Sequence, residues 1–133
     1  MASPVTALET ALYSKLNVSA ITNIATGGVW NKLAPQGTSL PYVVYQWQGG
    51  GDDNITPTRG RNLVYTVKAL AADADTAESI DEQIDIALHY QTLTVSGWTN
   101  YRMCREGDVN YSEMELGVPV FHIGAMYRIE VSK

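Results

Sequence analysis

The stretch Thr76–Tyr90, TAESIDEQIDIALHY, sets the terms for the rest of the chain. Ala77, Ile80, Ile84, Ala87 and Leu88 recur at helical spacing and share one face. Asp75 stands just before them as the expected N-cap, taking up free amides of the first turn. The opposite face carries Glu78, Asp81, Glu82 and Asp85, with no Lys or Arg among them. A helix with one apolar stripe is not stable alone and has to lie on a sheet. The β-rich segments before and after it are the candidates.

Those segments can be placed in order. Ser3-Pro4 reads as a helix start, and Val5, Leu8, Leu12 and Leu16 follow on one face, with Asn17 at the end. A short helical or turn segment covers Ser19–Ala25, closed by Gly27-Gly28. Val29-Trp30 begins a short extended piece, and Pro35-Gln36-Gly37 reads as a turn. Pro41 leads into Tyr42–Gln48, a strand rich in β-branched and aromatic residues. Gly49–Asn62, GGGDDNITPTRGRN, reads as an irregular loop of about a dozen residues joining that strand to a second one, Leu63–Leu70. Loops that long inside a compact domain are usually functional or disordered. After the acidic helix come short strands at Thr92–Val95 and Trp98–Arg105, then an acidic, irregular Glu106–Gly117. The last strand, Val118–Val131, alternates. Phe121, Ile123, Ala125, Tyr127, Ile129 and Val131 face inward, and His122, Gly124, Met126, Arg128, Glu130 and Ser132 face outward. The expected fold is a single α+β domain over residues 1–133: a mainly antiparallel β-sheet, two α-helices packed on one face, and a long hairpin loop.

Composition removes several functions. The formal net charge is -5, from 9 basic and 14 acidic residues. Broad nucleic-acid binding needs an excess of Lys and Arg to displace counterions from phosphates. A protein that DNA merely slides past has no such need, because like charge discourages sticking. The lone Cys104 cannot make an internal disulfide or a cysteine-rich metal site, and reads as a small buried thiol. The N-terminus lacks the pattern of a secretory signal, and no apolar run approaches the roughly 18 residues that span a membrane. A soluble protein of a reducing cytoplasm is expected. His89 and His122 are the only histidines, and neither has zinc-ligand spacing. Nucleophile-elbow, P-loop and dinucleotide fingerprints do not occur. No catalytic residue, metal or cofactor is assigned.

Two clusters remain as interface candidates. Asp52 and Asp53 in the loop are either a solvated turn or, with Asn54, a cation contact. Arg59 and Arg61 either solubilise the loop, or pair with carboxylates of an adjacent subunit or hold a phosphate. The acidic helix face is either solvated or meets a basic partner or DNA. Trp30, Tyr42, Tyr45, Trp47, Tyr65, Trp98, Tyr101 and Tyr127 lie in or near strands, some for the core and some for an interface.

A train of features runs from the N-terminal helix ALETALYSKLN through VWNKLAPQG to the strand LPYVVYQWQ. It continues through LVYTVKALAADADTAESIDEQIDIAL and LTVSGW to the closing strand HIGAMYRIEVS. In that order these pieces resemble the tail terminator, or tail completion, family of long-tailed bacteriophages, over about residues 5 to 132. The resemblance implies a virion structural protein that is not an enzyme. It implies a homo-oligomeric ring, generally a hexamer, at the head-proximal end of the tail tube, assembled in the host cytoplasm. Such a ring stops tube polymerisation and docks to head completion or neck proteins, while DNA passes through its lumen without specific binding. A hexamer would multiply the chain's charge of -5 sixfold. The alternatives are a head completion or neck protein of the same junction, and a small-ligand-binding α+β domain.

Overall fold

The computed structural model describes residues 3–54 and 59–133. Positions 55–58, in the middle of the expected loop, lie outside the described residues. The elements are α1 (Val5–Leu16), α2 (Ser19–Thr22), β1 (Val29–Asn31), β2 (Tyr42–Asp52), β3 (Gly60–Ala71), α3 (Ala74–Leu88), β4 (Thr94–Val95), β5 (Trp98–Glu115) and β6 (Val118–Ser132). The strands form one six-stranded sheet in the order β1-β2-β3-β6-β5-β4. The sheet is mixed. β1 runs parallel to β2, and the other neighbours are antiparallel. The expectation of a mainly antiparallel sheet under two helices therefore fits only roughly, since β1 is parallel and α2 adds a third, single-turn helix.

Alternation along β3 and β6 decides where the core lies. Leu63, Tyr65, Val67 and Ala69 stand opposite Ile129, Tyr127, Ala125 and Ile123, and all are buried. Leu8, Leu12 and Leu16 of α1 and Ala77, Ile80, Ile84 and Leu88 of α3 close over them in one continuous cluster. Burying each such Leu or Ile contributes roughly 1.5–3 kcal/mol. Among the described residues the other face of the sheet holds a small apolar group, Val44, Leu70 and Val120.

The N-cap of α3 is Asp73, not Asp75. Its carboxylate accepts from the amide of Thr76 at 3.0 Å, and the helix begins at Ala74. Asp75 falls inside the first turn, where a negative charge favours the helix dipole without capping it. In α1, Pro4 occupies the cap position, and the Ser3 hydroxyl accepts from the amide of Val5 at 3.3 Å.

Two segments expected to be irregular are strands. Gly49, Gly50, Gly51 and Asp52 pair with Val64, Leu63, Asn62 and Arg61, so the hairpin carries its ladder far into the glycine run. A register shift between Trp47 and Gly49 makes room for Gln48. Gly50 has φ +116, and a Cβ there would lie 2.1 Å from the Asn62 carbonyl oxygen, so the ladder needs glycine at this position. Glu106–Glu115 is likewise not a loop but the outer half of β5, paired with Val118–Met126 across the Leu116-Gly117 turn.

The β3 backbone leaves no room for a side chain at Gly124 of β6. A Cβ there would lie 2.2 Å from the Val67 carbonyl oxygen and 2.4 Å from the Lys68 Cα. Both obstacles are backbone and cannot turn aside. Gly124→Ala is expected to lower unfolding free energy by at least ~2 kcal/mol in urea denaturation, whereas Gly49→Ala, with open space around it, should cost well under that.

Candidate interaction surface

The acidic helix face divides in two. Asp81 and Asp85 turn toward the sheet and meet Arg105 of β5. The Arg105 guanidinium donates from Nη1 and Nη2 to the two Asp81 oxygens at 3.1 Å each, and lies 3.5 Å from Asp85. It also donates to Asp108 at 3.0 Å and to the Gly124 carbonyl at 3.3 Å. The Tyr127 hydroxyl completes the cluster by donating to Asp85 at 3.1 Å. Arg105 and Asp81 are only 23% and 15% exposed. Burial alone would lower the Arg105 pKa, but the hydrogen bonds to Asp81 and Asp108 outweigh it and raise it. Burial is also the main cause that raises the Tyr127 hydroxyl pKa, with Asp85 adding to it. Glu78 and Glu82 stay exposed on the outer side of α3.

The loop residues lie at one corner of the sheet. Arg59 donates to Asp52 at 2.8 Å, and the amide of Asn54 donates to the same carboxylate at 2.8 Å. Those two contacts, the amide first, hold the Asp52 carboxyl below the usual range. Asp53 accepts from Asn62 at 3.2 Å, and Gly60 leaves space for its carboxylate. Arg61 points the other way, across to the Ser3 hydroxyl at 3.2 Å. The four residues therefore do not form one site. Asp52 pairs with Arg59, Asp53 joins the outer face, and Arg61 joins the helix side. On the outer face the chain of contacts continues from Asn62 to Arg128, and from Arg128 to Glu106 at 2.8 Å.

The outer half of β5 and the start of β6 form an exposed hairpin that runs three residue pairs past the end of β3. Beneath it His122 is 5% exposed, stacked on Tyr111 with ring centroids 4.3 Å apart. Its Nε2 lies 2.7 Å from Glu113, while Nδ1 is buried without a partner. Burial pushes the His122 pKa below its ordinary value, against the opposing pull of Glu113. Sequence alternation places His122 on the polar face but gives no sign that Tyr111 and Glu113 cover it. His89, at the end of α3, accepts the Arg105 amide at 3.0 Å through Nδ1. The strand aromatics split: Tyr45, Tyr65, Trp98 and Tyr127 are buried, and Trp47 and Tyr101 are exposed. Surface grooves of about 440 Å³ between α1 and β4, and about 380 Å³ beside the hairpin tip, are shallow. Among the described residues no group of three or more His, Cys, Asp or Glu could hold a metal, and no helix is long and apolar enough to cross a membrane.

Against known proteins, a family model described as Tail completion protein gp17 matches residues 10–118. No curated protein matches the chain. A solved chain from the virion of a native gene transfer agent (GTA) particle superposes with TM-score 0.85 at 15% identity, covering 100% of both chains. A second solved structure, with no functional description, gives TM-score 0.54 at 14% identity over 94% of both chains. At these identities the structural likenesses establish the fold.

Arg105→Met would leave Asp81, Asp85 and Asp108 without their common partner. It should cost about 2–3 kcal/mol, discounted for the partial exposure, while Glu78→Gln and Glu82→Gln should stay within about 0.5 kcal/mol by chemical denaturation. His122 gives a pH test. Its folded pKa is lowered, so the unfolded chain takes up the proton first as pH falls. Stability contributed by the neutral ring is then lost from about pH 6.5 downward. His122→Leu should flatten the decline in melting temperature between about pH 7 and pH 5.5 relative to the wild type.

Proposed function

The chain belongs to the Tail completion protein gp17 family, and on that premise we propose that it forms a ring, a homohexamer, that ends the tail tube at its head-proximal side. As a member it is a structural protein of a phage-type tail and part of the virion. The family match over residues 10–118 carries the reading. In the proposed ring one face seats on the last ring of tube protein and stops its polymerisation. The other face presents the surface to which head completion or neck proteins dock. The ring assembles in the host cytoplasm, and its role is architectural rather than catalytic.

Electrostatics supports the passage of DNA. A ring of chains with net charge -5 repels a polyanion, so DNA can traverse the lumen without binding. The exposed Glu78 and Glu82 are the carboxylates of α3 suited to that lumen or to a basic partner. Asp81 and Asp85 support them from behind by fixing the helix on the sheet. The corner with Asp52, Asp53, Arg59 and Arg61 lies beside an open sheet edge and is proposed as part of a subunit or partner contact. The small-ligand alternative is supported less well. Among the described residues the groove between α1 and β4 is lined by Ala, Thr, Ser and Leu, with Lys15 the only ionisable group.

Tail length in particles lacking the protein tests this. Negative-stain microscopy should show overlong tubes without heads, and added purified protein should cap them. Tails of normal length beside unattached heads would move the protein to the neck. Normal infectious particles would contradict a structural role at this junction.

A further inference from the structure

Two stretches of sheet edge are open among the described residues, and they lie on opposite sides of the sheet. β1 covers β2 only at Val43–Tyr45, which leaves Gln46–Asp52 without an outer neighbour. β4 covers β5 only at Trp98 and Thr99, which leaves Gly107–Glu115 open. An open row of amides and carbonyls is a template for another strand. Here the two open rows run antiparallel to each other within the sheet, so copies set side by side in one orientation would pair them in an antiparallel ladder. They sit at opposite ends, so a neighbour must be displaced along the strand, as strands tilted around a closed ring are.

The two edges differ in charge. The Gln46–Asp52 edge has one charged side chain, Asp52, which is paired with Arg59, and Lys32, whose amide donates to the Tyr45 carbonyl, stands at its start. From Glu106 to Val118 the sequence contains Glu106, Asp108, Glu113 and Glu115 and no Lys or Arg. Each side also exposes apolar surface. Leu33 is 84% and Trp47 40% exposed beside the β2 edge, and Met114 is 69% and Leu116 fully exposed on the hairpin. Two hairpins brought together would set acid against acid, which disfavours a two-fold contact between identical edges.

We propose that each copy lays the outer edge of its β5–β6 hairpin along the Gln46–Asp52 edge of β2 in the next copy. The contact is head-to-tail, so it generates a ring when the rotation closes. This assignment rests on the ring reading and names the surfaces that make it. The occupant of each edge is a second copy of the same chain.

Cysteine cross-linking on tail tubes tests it. Gln48 and Met114 are both exposed, and the native Cys104 is buried. The chain carrying Gln48→Cys with Met114→Cys is added to uncapped tubes and treated with a flexible bismaleimide, beside each single variant and the wild type. The double variant should cap the tubes and give a ladder of covalent multimers, while the single variants cap and stay uncross-linked. Normal capping without a ladder, or dimers from either single variant, would overturn the edge assignment and leave the ring intact. Failure of the wild type itself to cap would overturn the ring reading and this assignment with it.

Discussion

The inner face of β3 and β6 has to be covered, and the rest of the structure follows from how α1 and α3 cover it. Each helix brings an apolar stripe that could slide on the sheet if packing were its only tie. Polar contacts at the margins fix the position. Glu9 of α1 accepts from the Tyr65 hydroxyl at 3.1 Å and from Asn31 at 3.1 Å. Asp81 and Asp85 of α3 are gripped by Arg105. Burial raises both Tyr hydroxyl pKa values, with the nearby Glu9 or Asp85 carboxylate next in effect, so both stay protonated as donors. Partly buried networks of this kind contribute to a unique arrangement because a displaced helix would leave charges without partners.

The outer face follows different rules. It carries the Arg128, Asn62 and Glu106 contacts, the covered His122 and a small apolar group, with no helix over it among the described residues. Among the described residues each edge is covered in part by a strand of two or three residues. An isolated monomer normally blunts such edges. A sheet left open on two sides, one of them strongly acidic, suits a chain that is one segment of a larger closed assembly.

Much of this was legible in the sequence because burial writes a period. The apolar stripe of α3 and the alternation of β6 placed both elements nearly where they lie, and the ordered set of segments pointed to the right family. The outer half of β5 was not legible. Residues Glu106–Glu115 have little core on either face, so they show no period-two hydrophobic signal, and their pairing comes from β6 rather than from their own composition. The glycine run hid the end of β2 for a similar reason, since Gly50 serves a close backbone approach while resembling a loop residue. Asp73 and Asp75 are both sound caps locally, and the turn out of β3 chose between them. The division of the acidic face was invisible because Arg105 comes from 24 positions further along the chain. The loop residues stand as one cluster in the sequence, yet strand alternation sends Arg61 to one side and Asn62, with Asp53, to the other.

The most direct measurement is a cryo-electron microscopy map of the intact head–tail junction. The account predicts a single ring of this fold between the last ring of the tube and the neck. In it, each β5–β6 hairpin lies against β2 of the adjacent copy, and the exposed carboxylates of α3 line the DNA path or meet a basic partner. Finding this fold elsewhere in the particle, or at the junction with its sheet edges facing away from one another, would contradict it.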